Sequence, residues 1–128
     1  MGQLAPHLLS VLWLSSSLAI RDAARAQEGF KLLKEKEIRE RVVGKDIADN
    51  ARWVTYLRRD GALDVTDATG RRRLGTWNIR NNKLCMLYPG EKVPECNEVW
   101  MSGQHIRLRA NRNEETFDAV VEQHRADR

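Results

Sequence analysis

Hydrophobic positions follow two regimes along the chain. Residues 8–20 form one uncharged run, Leu-Leu-Ser-Val-Leu-Trp-Leu-Ser-Ser-Ser-Leu-Ala-Ile, whereas the chain after Gly44 breaks into short apolar–polar alternations separated by turn residues. The uncharged run is too short for a membrane-spanning helix and matches a signal-peptide core, with Ala24-Arg25-Ala26 supplying the small-x-small cleavage pattern. Residues 1–26 are therefore expected to be a signal peptide and residues 27–128 a single mature β-rich domain. The segment before the core lacks Lys and Arg, a departure from the usual basic start. No Cys directly follows the core, so a lipid-anchored form is not expected.

Residues 28–43 are rich in Lys, Glu, Leu and Arg, and place Glu35 with Arg39 and Glu37 with Arg41 in the favourable i, i+4 order. The pattern predicts a surface helix over about 28–43, ended by Gly44. Its apolar residues, among them Phe30, Leu32, Leu33 and Ile38, make no single stripe, which suits a helix lying over a sheet edge or barrel mouth.

Beyond Gly44 three turn signals recur at equal intervals: Arg59-Asp60-Gly61, Arg80-Asn81-Asn82 and Met101-Ser102-Gly103. Each ends in a residue that tolerates left-handed backbone, as the third position of a three-residue hairpin loop with a bulge requires. Pairing outward from such loops sets Leu57 against Leu63, Thr55 against Val65, Trp77 against Cys85 and Cys96 against Leu108. Trp53, Trp77, Trp100, Cys85 and Cys96 then share one face, while Arg58, Asp64, Asn78, Arg107 and Arg109 take the other, with His105 beside them. Residues 46–48 add a strand. Residues 116–123 read as one more, with Phe117, Ala119 and Val121 on one side, or as a final helix. The expected fold is mainly β: an antiparallel meander of about seven or eight strands, a twisted sheet or small barrel, preceded by one surface helix.

Composition excludes more functions than it selects. With 41% hydrophobic and 31% charged residues in 128, and 22 basic against 18 acidic side chains, the chain suits one small folded domain without the dense basic surface of a nucleic-acid binder. Export makes Cys85 and Cys96 an expected disulfide rather than a metal or redox pair. His105 and His124 read as solvated side chains. No nucleophile motif, nucleotide fingerprint or calcium-loop spacing occurs, so no catalytic residue, metal or cofactor is implied and a non-enzymatic role is expected. Two binding surfaces remain. Arg71, Arg72 and Arg73, with Arg107 and Arg109, offer guanidinium forks for an anionic lipid or envelope polymer. Trp53, Trp77 and Trp100 offer walls for a small apolar ligand inside a barrel. A partner protein at the loops is the further possibility, and the protein is expected to be a periplasmic or secreted monomer.

The run Val43-Gly44-Lys45, then Gly75-Thr76-Trp77-Asn78-Ile79 leading into Leu84-Cys85, then Cys96 before Trp100 and Gly103, resembles a group of short secreted bacterial proteins of unknown function. Their form is a Gly-x-Trp hairpin, Leu-Cys, about ten residues, Cys and a further hairpin, with Gly frequent where this chain has Asn82. The resemblance implies an exported, disulfide-pinned β domain and assigns no catalytic residue. An alternative is a periplasmic inhibitor similar in architecture to the small lysozyme inhibitors, although the Ser-Gly-x-x-Tyr loop of that family is absent here.

Overall fold

Eight strands succeed one another around a closed wall in chain order. The computed structural model describes residues 2–3, 29–110 and 116–126; the 8–20 run and its cleavage site lie outside the described residues. A two-residue strand β1 (Lys31–Leu32) and helix α1 (Glu35–Arg41) lead into β2 (Lys45–Ala48), β3 (Val54–Leu57), β4 (Ala62–Thr66), β5 (Arg72–Arg80), β6 (Lys83–Leu87), β7 (Glu95–Ser102), β8 (His105–Arg109) and β9 (Phe117–Gln123). Each of β2 to β9 pairs antiparallel with its neighbours in sequence, and β9 returns to β2 with Ile47 opposite Val121, closing the barrel. The final segment is thus a strand.

Alternation supplies the interior. Leu57 and Leu63, Leu84 and Met86, Val99 and Met101, and Ile106 and Leu108 all point inward and are buried. An eight-stranded barrel is just wide enough for side chains to fill it, so these residues form its core.

α1 covers one end. Leu33, Ile38 and Val42 enter the core; Asn82 accepts from the Glu35 amide at 2.9 Å, and Arg41 donates to the Gly103 carbonyl at 2.5 Å. The helix therefore sits on the β5–β6 and β7–β8 turns. It is much shorter than the 28–43 expectation because the chain before it is extended. β6 pairs with β7 only at Glu95, Cys96 and Asn97, which leaves the edge of β7 open beyond it; Lys31 and Leu32 fill that edge opposite Met101 and Trp100. Cross-strand hydrogen bonding outweighs the helical propensity of these few residues.

Only the first hairpin keeps the expected register. Leu57 faces Leu63 and Thr55 faces Val65 around Arg59-Asp60-Gly61, with Gly61 at φ +92°. The other two turns have two-residue loops: Arg80 pairs with Lys83 around Asn81-Asn82, and Ser102 pairs with His105 around Gly103-Gln104. Asn81 and Asn82 both hold positive φ, +52° and +60°, the requirement of a type I′ turn whose twist suits the flanking strands. The shift moves alternate residues to the other face. Trp77 therefore faces Met86 rather than Cys85, and stays in the core, while Cys85, Cys96 and Trp100 lie on the outer wall. The disulfide itself forms as expected: Cys85 pairs with Cys96 across β6 and β7, with an S–S length of 2.07 Å.

Candidate functional site

Phe30, just before β1, lies against the outer wall formed by β7 and β8. Trp100 projects from β7 and Arg107 and Arg109 from β8, the two strands being joined by Trp100 opposite Arg107 and Glu98 opposite Arg109. The four side chains line a groove of about 160 Å³. Arg107 is fixed in it on two sides. Its Nε and Nη2 donate to Asp118 on β9 at 2.8 and 3.1 Å, and its Cζ stands 4.2 Å over the centre of the Phe30 ring. The forked hydrogen bond holds the Asp118 carboxyl below the usual carboxylate range and raises Arg107.

Two polar atoms at this groove are unusual. Trp100 Nε1 and Arg109 Nε are buried and lack a hydrogen-bond partner. Both groups can only donate. The contrast with Trp77 is direct: its buried indole donates to the Arg58 carbonyl at 2.7 Å, as buried Trp side chains normally do. No carboxylate among the described residues pairs with Arg109, so among them its charge at the groove is uncompensated.

The five arginines expected to share one anion-binding surface do not come together. Arg71 lies just before β5 and Arg72 and Arg73 at its start, three strands around the barrel from β8, so they do not share a surface with Arg107 and Arg109. Arg72 is paired with the buried carboxylate of Asp64. The preceding turn is tied by Asp67, which accepts from the Thr69 hydroxyl and from the Thr69 and Arg71 amides; these bonds, the hydroxyl foremost, lower its pKa.

Nor do the three tryptophans line one cavity. Trp53 stands at the barrel rim, 40% exposed, Trp77 in the core and Trp100 in the outer groove. What folding assembles instead is Trp100 with Arg107 and Arg109, residues from two different expected sites.

One constellation was invisible in the sequence. His124, expected to be solvated, has its Nδ1 2.9 Å from the Asp46 carboxylate, which is 1% exposed and also accepts from the Arg125 amide at 3.3 Å. The Tyr56 ring stacks on the imidazole at 3.5 Å between centroids. Buried Asp orienting His through Nδ1 supplies two of the three members of a hydrolytic triad. Among the described residues no hydroxyl or thiol is hydrogen-bonded to this His, and its placement ties the end of β9 to β2. His105 is exposed at the β7–β8 turn. No group of three or more His, Cys, Asp or Glu among the described residues could hold a metal ion. Comparison with models of known families, with characterised proteins and with solved structures gives no match, which leaves the outer groove and its unpaired donors to speak for function.

Proposed function

We propose that the mature chain is an exported, non-enzymatic barrel that binds an anionic envelope component, a phosphate carried on a lipid or polymer, in the groove between Phe30 and the β7–β8 wall. One observation carries the reading: Trp100 Nε1 and Arg109 Nε are buried donors without partners on the same groove. Leaving a buried donor unpaired costs about 1–3 kcal/mol, so an acceptor entering here recovers a penalty already present in the folded protein. Phosphate suits the site because its oxygens can take several donors at once and match a guanidinium fork. Arg109 supplies net charge, while Asp118 and Phe30 hold Arg107 in place. The Cys85–Cys96 bridge is consistent with an oxidising compartment, as export requires. A small apolar ligand inside the barrel has less support, since aliphatic side chains fill the interior and the three tryptophans are dispersed.

The test is cosedimentation with vesicles containing phosphatidylglycerol, against neutral phosphatidylcholine, at low salt, with calorimetric titration of glycerol phosphate as the soluble arm. Arg109→Gln is expected to weaken binding several-fold, and replacing Arg71, Arg72 and Arg73 together with Gln is expected to leave it nearly unchanged. The reverse ranking would move the site to the β4–β5 turn. Wild-type protein that binds neither probe at low ionic strength would refute the proposal.

A further inference from the structure

The end of the barrel opposite α1 carries a second hollow of different character. Two adjoining recesses, of about 280 and about 20 Å³, share Tyr88, Leu108 and Phe117 in their walls. Glu91 and Glu95 line the larger one, Asp49 the smaller, and no Lys or Arg lines either among the described residues. Asp49 Oδ1 accepts from the Ala51 and Trp53 amides at 2.9 and 3.0 Å, and this turn sets the Trp53 ring at the rim. The carboxylates of Glu91 and Glu95 have no such engagement: neither forms an ion pair or a side-chain hydrogen bond among the described residues, although the Glu91 amide donates to the Tyr88 carbonyl at 3.0 Å.

An independent feature points into the larger recess. Asn97 lies on the inner side of β7, opposite Leu84, only 8% exposed, and lines the hollow. Its side-chain amide has no hydrogen-bond partner among the described residues. The residue is more than nine-tenths buried, yet its amide is not sealed in the core; it opens onto the hollow, where an entering polar group can meet it. Tyr88 reports the same field from the wall. Burial, and then the charges of Glu95, Glu91 and Asp49, push its phenol up to about 12. Its hydroxyl points at the Met86 sulfur, 3.7 Å away, rather than at a carboxylate.

We propose that this hollow binds a small organic ammonium ion, with the charge held by Glu91 and Glu95, a hydrogen bond to Asn97, and the carbon chain against Tyr88, Leu108 and Phe117. Carboxylates and aromatic faces both favour a cation, and apolar walls with a few converging polar groups are the usual make-up of a small-ligand site. The size sets the class: about 280 Å³ is near the lower limit for ligand pockets and suits an alkylamine rather than a lipid. The site is separate from the outer groove and shares no residue with it.

The probe is n-butylammonium, with n-butanol and butyrate as controls of similar size and different charge, followed by the ¹⁵N-resolved side-chain signals of Asn97 and Trp53. Butylammonium is expected to shift both signals saturably, and butyrate neither. The Glu91→Gln/Glu95→Gln double variant, changed at exposed positions and confirmed folded by circular dichroism, is expected to lose affinity at least tenfold; Arg109→Gln is expected to bind as wild type. Nα-acetyl-lysine amide tests the source of the group: tighter binding than butylammonium assigns the site to a peptide lysine and weaker binding to a free amine, and either ranking supports the ammonium site. Equal response to butanol, undiminished binding in the double variant, or no shift with butylammonium up to about 0.1 M, where a millimolar Kd would saturate, overturns it.

Discussion

His124 stands on Asp46 across the seam where the barrel closes, Nδ1 to Oδ1 at 2.9 Å, with β9 ending at Gln123 and β2 holding the carboxylate. The Arg125 amide donates to the other oxygen, so one buried side chain anchors the chain end twice. Asp46→Ala is expected to destabilise the protein by about 1–3 kcal/mol, the cost of leaving such donors unpaired. Denaturant unfolding measures it, and hydrogen exchange should show faster opening of β2 and β9 than of β5. His124→Ala should cost less, because the Arg125 amide still reaches the carboxylate. Strictly additive effects in the double variant would contradict the coupling.

Gly75 is required by a neighbouring strand rather than by its own backbone angles. A Cβ at this position would lie 2.1 Å from the Leu87 carbonyl oxygen and 3.4 Å from Pro89 Cδ. Gly75→Ala must therefore push β5 away from β6, at a cost of about 1–3 kcal/mol. Thermal unfolding checks this, and an unchanged melting temperature would refute the close approach. The contact also accounts for the glycine of the Gly-x-Trp motif: the backbone gap between Gly75 and Leu87 lets the next inward residue, Trp77, pack across from Met86.

The disulfide joins the second hairpin to the third on the outer wall, where it closes a short segment of chain, with a sequence separation of 11. Cys85→Ser is expected to cost about 2–4 kcal/mol, the usual scale for a small secreted domain. Free thiols detected in unfolded, unreduced protein would show that the bridge does not form.

Tyr88 gives a pH signature. Its phenol is raised to about 12 by burial first and then by Glu95, Glu91 and Asp49. The folded state thus keeps a proton that the unfolded state gives up near 10, so this contribution to stability is complete below pH about 10 and is lost as pH rises through about 12. Tyr88 is expected to ionise late in a phenolate absorbance titration. Tyr88→Phe should abolish that late step. A late step that survives would assign it elsewhere.

Strand class, chain order and the bridge were legible because each rests on local information. Alternation of period two, turn residues between runs, and two cysteines a hairpin apart lead to an antiparallel meander without reference to any distant contact. The Arg59-Asp60-Gly61 turn was legible for the same reason: the left-handed position and the flanking Leu57 and Leu63 agree.

Register at the other two hairpins needed a choice between competing local signals. Grouping the Trp and Cys residues favours three-residue loops, whereas the alternating aliphatic pairs Leu84–Met86, Val99–Met101 and Ile106–Leu108, together with two adjacent Asn at one turn, favour two-residue loops. The aliphatic set prevails because a closed barrel of this width must be filled with compact side chains, and a one-residue slip would turn Leu84 and Met86 out to solvent.

By itself the sequence determined a β meander with its expected Cys85–Cys96 bridge; the tertiary structure decided which residues meet. Phe30 reaches Arg107 only because β1 fills the open edge of β7, Asp118 reaches it only through the β8–β9 register, and His124 reaches Asp46 only because the last strand returns to the first barrel strand. Each of these contacts depends on closure of the whole wall. Periodicity along a chain records which face a residue takes, whereas the neighbour it finds on that face is set by strand order and stagger around the barrel, which no local pattern encodes.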